Sequence, residues 1–299
     1  MNCLGLEIGG TKLQMGRSDR TGKLDWLKRR RIVPSEGAAG ICRQILELFR
    51  EAGARGQISE GPTHWGVGFG GPVNPSDGSI LQSHQIDGWS GFKLADWLLA
   101  ETAAKSATVR NDADTAALGE ALEGAGQGLD PLAYITVGSG IGGGLILDGN
   151  IHLGAGRGAM EIGHLWIPDP DRIGQMQELE LVGSGWSIQR RADKPSVQAV
   201  YDSAMRGGAR SAFVLESAAK SVGLALSHVV HLVAPKRIIL GGGVSLLPEA
   251  VWGDIVRQSL DAHTMTAFKG MTDLVPAALG ESVVVVGALK LAEMASVRD

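Results

Sequence analysis

The residues best suited to chemistry lie between Tyr134 and His164. A β-branched run there predicts a strand, and it leads into a loop containing Ser139 and five glycines, Gly138, Gly140, Gly142, Gly143 and Gly144. Glycines at such a turn expose successive backbone N–H groups, which form a concavity suited to phosphate oxygens. Glu161 and His164 then place a carboxylate and an imidazole in a second glycine-rich loop, where they could bind hydroxyl groups. This combination indicates phosphoryl transfer to an alcohol.

Two simpler interpretations of these residues stay open. Gly138–Gly143 matches the dinucleotide fingerprint G-x-G-x-x-G, but that fingerprint must open a helix. Here the apolar residues 145–147 and the Asp148-Gly149 pair predict a returning strand and a hairpin turn instead. A purely structural glycine hairpin and an ordinary pairing of Glu161 with His164 are the alternatives that the loop by itself allows.

A similar pattern occurs near the amino terminus. Glu7 lies in a predicted strand, and the turn that follows it contains Gly9, Gly10, Thr11 and Lys12. The spacing and the following helix of a Walker A loop are missing, but the turn suits a second phosphate or a metal-bound water. Because residues 4–16 and 134–149 repeat the same pattern, we expect two related domains, each contributing a hairpin to one cleft.

A carboxylate and a third glycine group follow two other predicted strands. Asp112 comes where a short strand ends and an alanine-rich helix begins, so that the helix dipole would keep its carboxylate ionised. An N-cap role is the simpler alternative for this residue. Gly241, Gly242 and Gly243 follow the buried strand predicted at residues 237–240.

The predicted elements that position these residues alternate between strands and helices. Apolar spacing predicts helices at 38–50, 92–105 and 211–234, a strand at 65–69, and a strand or helix start at 282 followed by a terminal helix. With 299 residues, the chain is long enough for one large or two moderate domains.

Composition excludes several classes of protein. The net charge of -4 gives no electrostatic footprint for nucleic acid, and the basic block Lys28–Arg31 is predicted to be a solvated strand edge. Cys3 and Cys42 are too few for a disulfide framework or a zinc cluster, which indicates a reducing cytoplasm. Glu7 comes too early for a signal peptide, and no uninterrupted apolar run suggests a membrane span.

Taken together, these motifs resemble the ROK family of bacterial sugar kinases and sugar-responsive repressors, which have an actin/hexokinase-like fold. The resemblance covers nearly the whole chain, and the motifs fall in the family's order. They are Glu7–Lys12, Gly66–Asn74, Arg110–Asp114, Gly138–Gly144, Gly156–His164 and Ile238–Val244.

The resemblance implies a role for each matching residue. Asp112 would be the general base, and Glu7 would hold the water shell of Mg²⁺. The sugar-binding residues would be Gly71, Asn111, Asp112, Glu161, His164 and Glu180. The residues that bind ATP and its phosphates would be Gly9, Gly10, Thr11, Lys12, Gly138, Ser139, Gly140, Gly142, Gly241, Gly242 and Gly243.

Three positions depart from the family's pattern. Many members carry a zinc motif, C-x-C-G-x-x-G-C-x-E, but Ile173–Glu180 has no cysteine, so we expect no structural zinc. Glu7 replaces the usual aspartate and puts the metal geometry in doubt. Gln85 replaces an asparagine that commonly precedes the Gly-Trp pair.

The sequence therefore predicts an ATP- and Mg²⁺-dependent hexose kinase of α/β fold, most simply a glucose 6-kinase. The expected domains are residues 1–115, with a helix at about 281–299 packing back on them, and residues 116–280. The resemblance implies a cytoplasmic homodimer without nucleic-acid or membrane partners. The alternatives are another hexose or N-acetylhexosamine kinase, a weakened sugar-binding homologue and a polyphosphate-dependent kinase. A repressor is disfavoured because the first motif begins at Glu7, which leaves no room for a DNA-binding region.

Overall fold

The computed structural model describes residues 2–19, 21–83 and 86–297 of the chain. The fold is α/β, as predicted, and the chain forms two compact units. The first unit takes in the described residues of Met1–Gln127, Asn150–Ala159 and Glu281–Asp299, and the second takes in Gly128–Gly149 and Met160–Gly280.

Strands and helices alternate along much of the chain. The strands are β1 (Asn2–Ile8), β2 (Lys12–Ser18), β3 (Leu24–Arg31), β4 (Thr63–Phe69), β5 (Val73–Asn74), β6 (Ser79–Ile80), β7 (Ser106–Asn111), β8 (Leu132–Val137), β9 (Ile141–Leu147), β10 (Asn150–Ile151), β11 (Trp166–Pro168), β12 (Met176–Glu178), β13 (Arg237–Gly241) and β14 (Asp273–Pro276). The helices are α1 (Gly37–Ala54), α2 (Leu94–Thr102), α3 (Asp112–Glu123), α4 (Glu180–Gly183), α5 (Gly185–Ala192), α6 (Val197–Met205), α7 (Ala209–Val233), α8 (Gly253–His263) and α9 (Val283–Val297).

The main sheet of the first unit has the strand order β3-β2-β1-β4-β7. Strands β1, β4 and β7 are parallel, whereas β2 and β3 are antiparallel to their neighbours. Every residue of the central strand β1 is buried, as its apolar run predicts. Strand β3 lies at the edge and alternates half-buried with exposed residues, so Lys28–Arg31 forms the predicted solvated strand edge.

Helix α9 packs against β1, β4 and α3 of the same unit. A Cβ atom added at Gly66 would stand 1.7 Å from the carbonyl oxygen of Ala288, and one at Gly287 would stand 1.8 Å from that of Thr115. These close approaches therefore require glycine. The valine run Val283–Val286 allowed a strand in the sequence interpretation, but it is helical because burial in this interface outweighs the β preference of valine.

The main sheet of the second unit contains the order β9-β8-β13-β14. Strands β8 and β9 form an antiparallel hairpin, and β13 is parallel to both β8 and β14. In each unit, the first strand of a hairpin thus pairs in parallel with a later strand, in the orders β2-β1-β4 and β9-β8-β13. The repeat predicted from residues 4–16 and 134–149 is present in this strand pairing.

Helix α7 is the central helix of the second unit and packs against α4, α5, α6 and α8. Its 25 residues are long and apolar enough to cross a membrane by length and composition alone. However, 61% of its most apolar window is buried inside the protein. Burial of this kind is typical of the core helix of a globular unit.

Candidate active site

Three predicted functional segments meet at one edge of the first sheet. In the parallel pairing of β1, β4 and β7, Ile8 lies beside Phe69, and Phe69 lies beside Asn111. The glycine turn after β1, the Gly70-Gly71 pair after β4 and Asp112 after β7 therefore leave the sheet side by side. This is the edge at which open parallel sheets bind ligands.

The Glu7 carboxylate is buried and is contacted through both of its oxygens. Lys12 Nζ lies 3.0 Å from Oε1, and Gln14 Nε2 donates a hydrogen bond of 2.6 Å to Oε2. The turn between them is closed by a hydrogen bond from the Gly9 N–H to the Lys12 carbonyl oxygen. Gln14 was not among the predicted site residues, although the register of the β1–β2 hairpin places it directly opposite Glu7.

A carboxylate has about four lone-pair positions, and Glu7 uses two of them on Lys12 and Gln14. The remaining positions suit hydrogen bonds to metal-bound water, which Mg²⁺ usually retains in nucleotide sites. Within the three described ranges of the chain, no group of three or more His, Cys, Asp or Glu side chains could hold a metal ion.

Cys3 and Cys42 are buried free thiols, and burial and the nearby Glu101 raise the pKa of Cys42 to about 12.

Asn111, and not Asp112, is the N-cap of α3. Its Oδ1 accepts hydrogen bonds from the backbone N–H groups of Ala113 at 2.8 Å and Asp114 at 3.4 Å. The simpler alternative for Asp112, an N-cap role, is therefore wrong: Asp112 is the first helical residue. Asn111 Nδ2 donates to the Gly71 carbonyl oxygen at 3.1 Å, which leaves its second amide proton for a ligand.

The Asp112 carboxylate lies against the turn that follows β4. Its Oδ1 accepts a hydrogen bond of 2.9 Å from the Ala113 N–H. A Cβ atom added at Gly70 would lie 3.4 Å from Asp112 Oδ2 and 3.5 Å from the Cα atom of Gly9. The Asp112 carboxylate and the glycine turn of β1 thus both lie next to Gly70. Gln85, the third departure from the family pattern, lies outside the described residues.

Glycines of three segments approach one another closely in the second unit. The N–H of Gly185, at the start of α5, donates to the Gly138 carbonyl oxygen at 2.8 Å. A Cβ atom at Gly185 would lie 2.7 Å from the same oxygen, and one at Gly242 would lie 2.4 Å from the carbonyl carbon of Val137. Side chains at these positions would force the loops apart.

The loop after β8 presents backbone donors. Gly138 donates its N–H to the Gly140 carbonyl oxygen at 2.9 Å, which closes the turn. In the part of the chain that the structure describes, no hydrogen bond engages the backbone N–H groups of Ser139 or Gly140. Two adjacent N–H groups in a glycine turn form a site for an anion such as phosphate.

Glu180, a predicted sugar ligand, lies at this same loop. Its Oε2 accepts a hydrogen bond of 2.7 Å from the Ile141 N–H. A Cβ atom at Gly140 would stand 2.5 Å from that oxygen, so a side chain there would displace the Glu180 carboxylate from this position. The carboxylate of the sugar motif and the predicted phosphate loop are thus directly connected within the second unit.

Glu161 and His164 lie on the surface of the second unit, where Glu161 is the N-cap of a short 3-10 turn and His164 is its last residue. The His164 N–H donates to the Glu161 carbonyl oxygen at 3.1 Å, and His164 Nδ1 lies 3.2 Å from Glu178 Oε2. Sequence reasoning did not single out Glu178 as a site residue. A prediction of Glu178 would have required the register of the antiparallel β11–β12 hairpin, which places Glu178 opposite Trp166.

The chain is similar to known proteins over nearly its whole length. The family model of the ROK family matches residues 3–295. The glucokinase of Halalkalibacterium halodurans is 30% identical, over 95% of this chain and 92% of its own length. The glucokinase of Thermotoga maritima is 25% identical, over 97% of both chains. The crystal structure of a ROK family glucokinase from Streptomyces griseus, in complex with glucose and AMPPNP, superimposes with a TM-score of 0.81 at 28% identity, covering 98% of this chain and all (100%) of that one.

The family match and the relatives all extend over nearly the full sequence, and the family match includes every motif segment described above. The two sheets, each with a glycine turn after its first hairpin strand, agree with the α/β fold of the S. griseus structure. The chain belongs to the ROK family.

Proposed function

We propose that this protein is an ATP- and Mg²⁺-dependent sugar kinase that transfers the γ-phosphoryl group to the 6-hydroxyl of an aldohexose, with glucose as the first candidate. The observation that carries the proposal is the position of Asp112, whose carboxylate lies beside Gly70 and near the Gly9 turn. A proton acceptor and a candidate phosphate turn are thus held next to each other at one sheet edge.

In the proposed reaction, Asp112 accepts the proton of the sugar hydroxyl. The oxygen forms a bond to the γ-phosphorus while the bond from that phosphorus to the bridging oxygen breaks, and ADP leaves. Phosphoryl transfer asks a protein mainly for alignment and for stabilisation of charge. A general base contributes about 10²–10⁴-fold to the rate of such a step.

The sugar and the nucleotide would be bound by the residues that the motifs single out. The proposed sugar ligands are Gly71, Asn111, Glu161, His164 and Glu180. The proposed nucleotide ligands are Gly9, Gly10, Thr11, Lys12, Gly138, Ser139, Gly140, Gly142, Gly241, Gly242 and Gly243. A neutral sugar needs several convergent polar partners, since an unpaired buried polar group costs about 1–3 kcal/mol.

Glu7 would hold the water shell of Mg²⁺, and the metal would neutralise charge on the phosphates. The two bonds from Lys12 and Gln14 keep the Glu7 carboxylate in place for that role. The relatives support glucose and ATP as the two substrates. Two of them are named glucokinase, and the S. griseus structure was obtained with glucose and AMPPNP. We further propose a cytoplasmic homodimer.

The test is an assay of ADP release with Mg-ATP against six sugars: glucose, mannose, fructose, allose, N-acetylglucosamine and N-acetylmannosamine. We expect one sugar, glucose, to reach a kcat/KM of about 10⁴ M⁻¹s⁻¹ or more. A parallel series measures formation of the sugar phosphate with polyphosphate in place of ATP. Activity with polyphosphate alone would overturn the choice of donor, and a preference for another sugar would overturn the choice of substrate.

The contacts of Glu7 also favour a second candidate, a sugar-binding homologue with weakened transfer. Both Glu7 oxygens are engaged within the protein, and the side chain is one methylene longer than the family's aspartate. This candidate predicts sugar-dependent thermal stabilisation without ADP release against any member of the panel. The same assay, combined with thermal melting, therefore separates the two functions.

A further inference from the structure

Arg191, near the end of α5, has a buried guanidinium group, and its side chain is only 5% exposed. Its Nε donates to Asp171 Oδ2 at 2.7 Å, and its terminal nitrogens donate to the Val182 carbonyl oxygen at 2.9 Å and to Ser217 Oγ at 2.8 Å. A guanidinium carries five N–H donors in a rigid plane. These three bonds therefore fix the positions of their acceptors relative to one another.

Arg210 adds a second pair of contacts to the same group. Its Nη1 lies 2.9 Å from Asp171 Oδ1, and its Nε donates to the Arg191 carbonyl oxygen at 2.9 Å. Asp171 thus receives a charge-assisted hydrogen bond on each oxygen, the stronger class of hydrogen bond. We call Asp171, Arg191 and Arg210 the arginine anchor.

The arginine anchor holds both ends of a segment that carries two acidic residues. Asp171 lies in the loop that joins β11 to β12, and Val182 lies in α4. Between these two fixed points, Glu178 ends β12 and Glu180 begins α4. Ser217 belongs to the core helix α7, so the anchor ties the segment to the centre of the second unit.

Both acidic residues make contacts that depend on the position of this segment. Glu178 Oε2 lies 3.2 Å from His164 Nδ1, and Glu180 Oε2 lies 2.7 Å from the Ile141 nitrogen. A shift of the backbone by about 1 Å would break both contacts, and misplacement of that size can cost about 10²-fold in rate. The positions of the two carboxylates thus depend on side chains that lie outside the predicted site.

We propose that Arg191 is a positioning residue of the sugar site, which sets the places of Glu178 and Glu180 through the arginine anchor. The inference rests on the proposed sugar kinase function and adds Asp171, Arg191, Arg210 and Glu178 to it. No atom of Arg191 needs to touch the sugar for this role, because its bonds act on the backbone and on Asp171.

The test uses two full-length variants, Arg191→Lys and Asp171→Asn. Lysine keeps the charge but loses the planar set of donors, and asparagine keeps the shape but loses the charge. We expect each variant to raise the KM for the sugar about 10–100-fold. The Kd for AMPPNP, measured by calorimetry, should rise less than the sugar KM, because the phosphate loop loses its contact with Glu180 but keeps its backbone hydrogen bond with Gly185. Hydrogen exchange should become faster in residues 171–183.

Two controls separate positioning from a general loss of stability. Val200→Ala in α6 truncates a fully buried side chain (0% exposed) of the same unit without removing a hydrogen bond of the arginine anchor. Lys220→Met removes an exposed ion pair with Glu216 on α7. Neither should raise the sugar KM. An equal rise in KM with Val200→Ala, or an unchanged KM in both anchor variants, would overturn the inference while leaving the kinase function intact. Wild-type protein without sugar binding or phosphorylation would overturn the proposed function itself.

Discussion

Gln14 Nε2 donates a hydrogen bond of 2.6 Å to Glu7 Oε2, and this bond fixes the carboxylate near the end of β1. Gln14 is fully buried, and its own amide is held on both sides. Its Nε2 also donates to the Glu281 carbonyl oxygen at 3.0 Å, and its Oε1 accepts from Arg29 Nε at 2.8 Å. A side chain held this firmly cannot follow Glu7 if the carboxylate retreats.

Replacing Glu7 with aspartate should therefore destabilise the protein. The shorter side chain withdraws its carboxylate from Gln14, so the buried Gln14 amide loses a hydrogen-bond acceptor. An unpaired polar group in the protein interior costs about 1–3 kcal/mol. We expect the free energy of unfolding, measured with denaturant, to fall by about that amount. If the protein is an active kinase, kcat in the ADP-release assay should not rise.

Glu281→Gln is the matched control for this substitution. The Glu281 side chain is 68% exposed and pairs with Arg29, whereas Gln14 contacts only the backbone carbonyl oxygen of Glu281. It should leave stability and kcat nearly unchanged. A rise of kcat by orders of magnitude in Glu7→Asp would contradict the expectation and would favour the weakened sugar-binding homologue.

Asp112→Asn should remove the general base while preserving the local structure. The asparagine Oδ1 can still accept the hydrogen bond from the Ala113 N–H, so α3 keeps its first turn. We expect kcat to fall about 10²–10⁴-fold. The Kd values for sugar and AMPPNP, measured by calorimetry, should stay nearly unchanged. If kcat falls only a few-fold, Asp112 is a structural residue of the helix start.

How much the sequence could predict depends on how local each feature is. The glycine turns, the hairpins and the placement of Asp112 at the start of α3 follow from neighbouring residues, and these were predicted. Gln14 and Arg191 were not. The β1–β2 hairpin places Gln14 opposite Glu7, but the contacts of Gln14 with Arg29 and Glu281 and of Arg191 with Ser217 join residues that are distant in sequence. The sequence allowed Asp112 as the N-cap of α3, whereas the N-cap in the structure is Asn111. The two positions differ by one residue, and helix propensity cannot locate a helix boundary to a single residue.

Asn111 should show two separable roles. Asn111→Asp keeps the oxygen that caps α3 but replaces the Nδ2 donor to the Gly71 carbonyl oxygen with an acceptor. We expect an increase in sugar KM. Asn111→Ala also removes the cap and should lower the free energy of unfolding by about 0.5–2 kcal/mol more. Equal sugar KM in Asn111→Asp and wild type would show that Asn111 serves only as a helix cap.

Gly242→Ala should weaken nucleotide binding. Gly242 has a φ of +89°, which alanine rarely adopts, and the added Cβ atom would lie 2.4 Å from the carbonyl carbon of Val137. The loop after β13 must then move away from β8, so we expect the Kd for AMPPNP to rise at least about tenfold, a change of ~1.4 kcal/mol. Gly270→Ala is the control, because Gly270 also has a positive φ (+77°) but no atom lies within 4 Å of its added Cβ. Similar Kd values in the two variants would contradict the close-approach argument.

The stability contributed by Asp171 should depend on pH. Burial by itself raises the pKa of this carboxyl, but the hydrogen bonds and charges of Arg191 and Arg210 outweigh it and hold the pKa below its ordinary value. Because the pKa in the folded state is lower than the unfolded pKa of about 3.9, the Asp171 carboxylate stabilises the folded protein at pH values above the unfolded pKa. This stabilisation is lost as the pH falls through the lower pKa of the folded state. The difference in unfolding free energy between wild type and Asp171→Asn should therefore be constant from about pH 7 to pH 5 and shrink below about pH 4. Denaturant unfolding at each pH measures it, and a difference as large at pH 3 as at pH 7 would show that charge on Asp171 is not what holds the arginine anchor together.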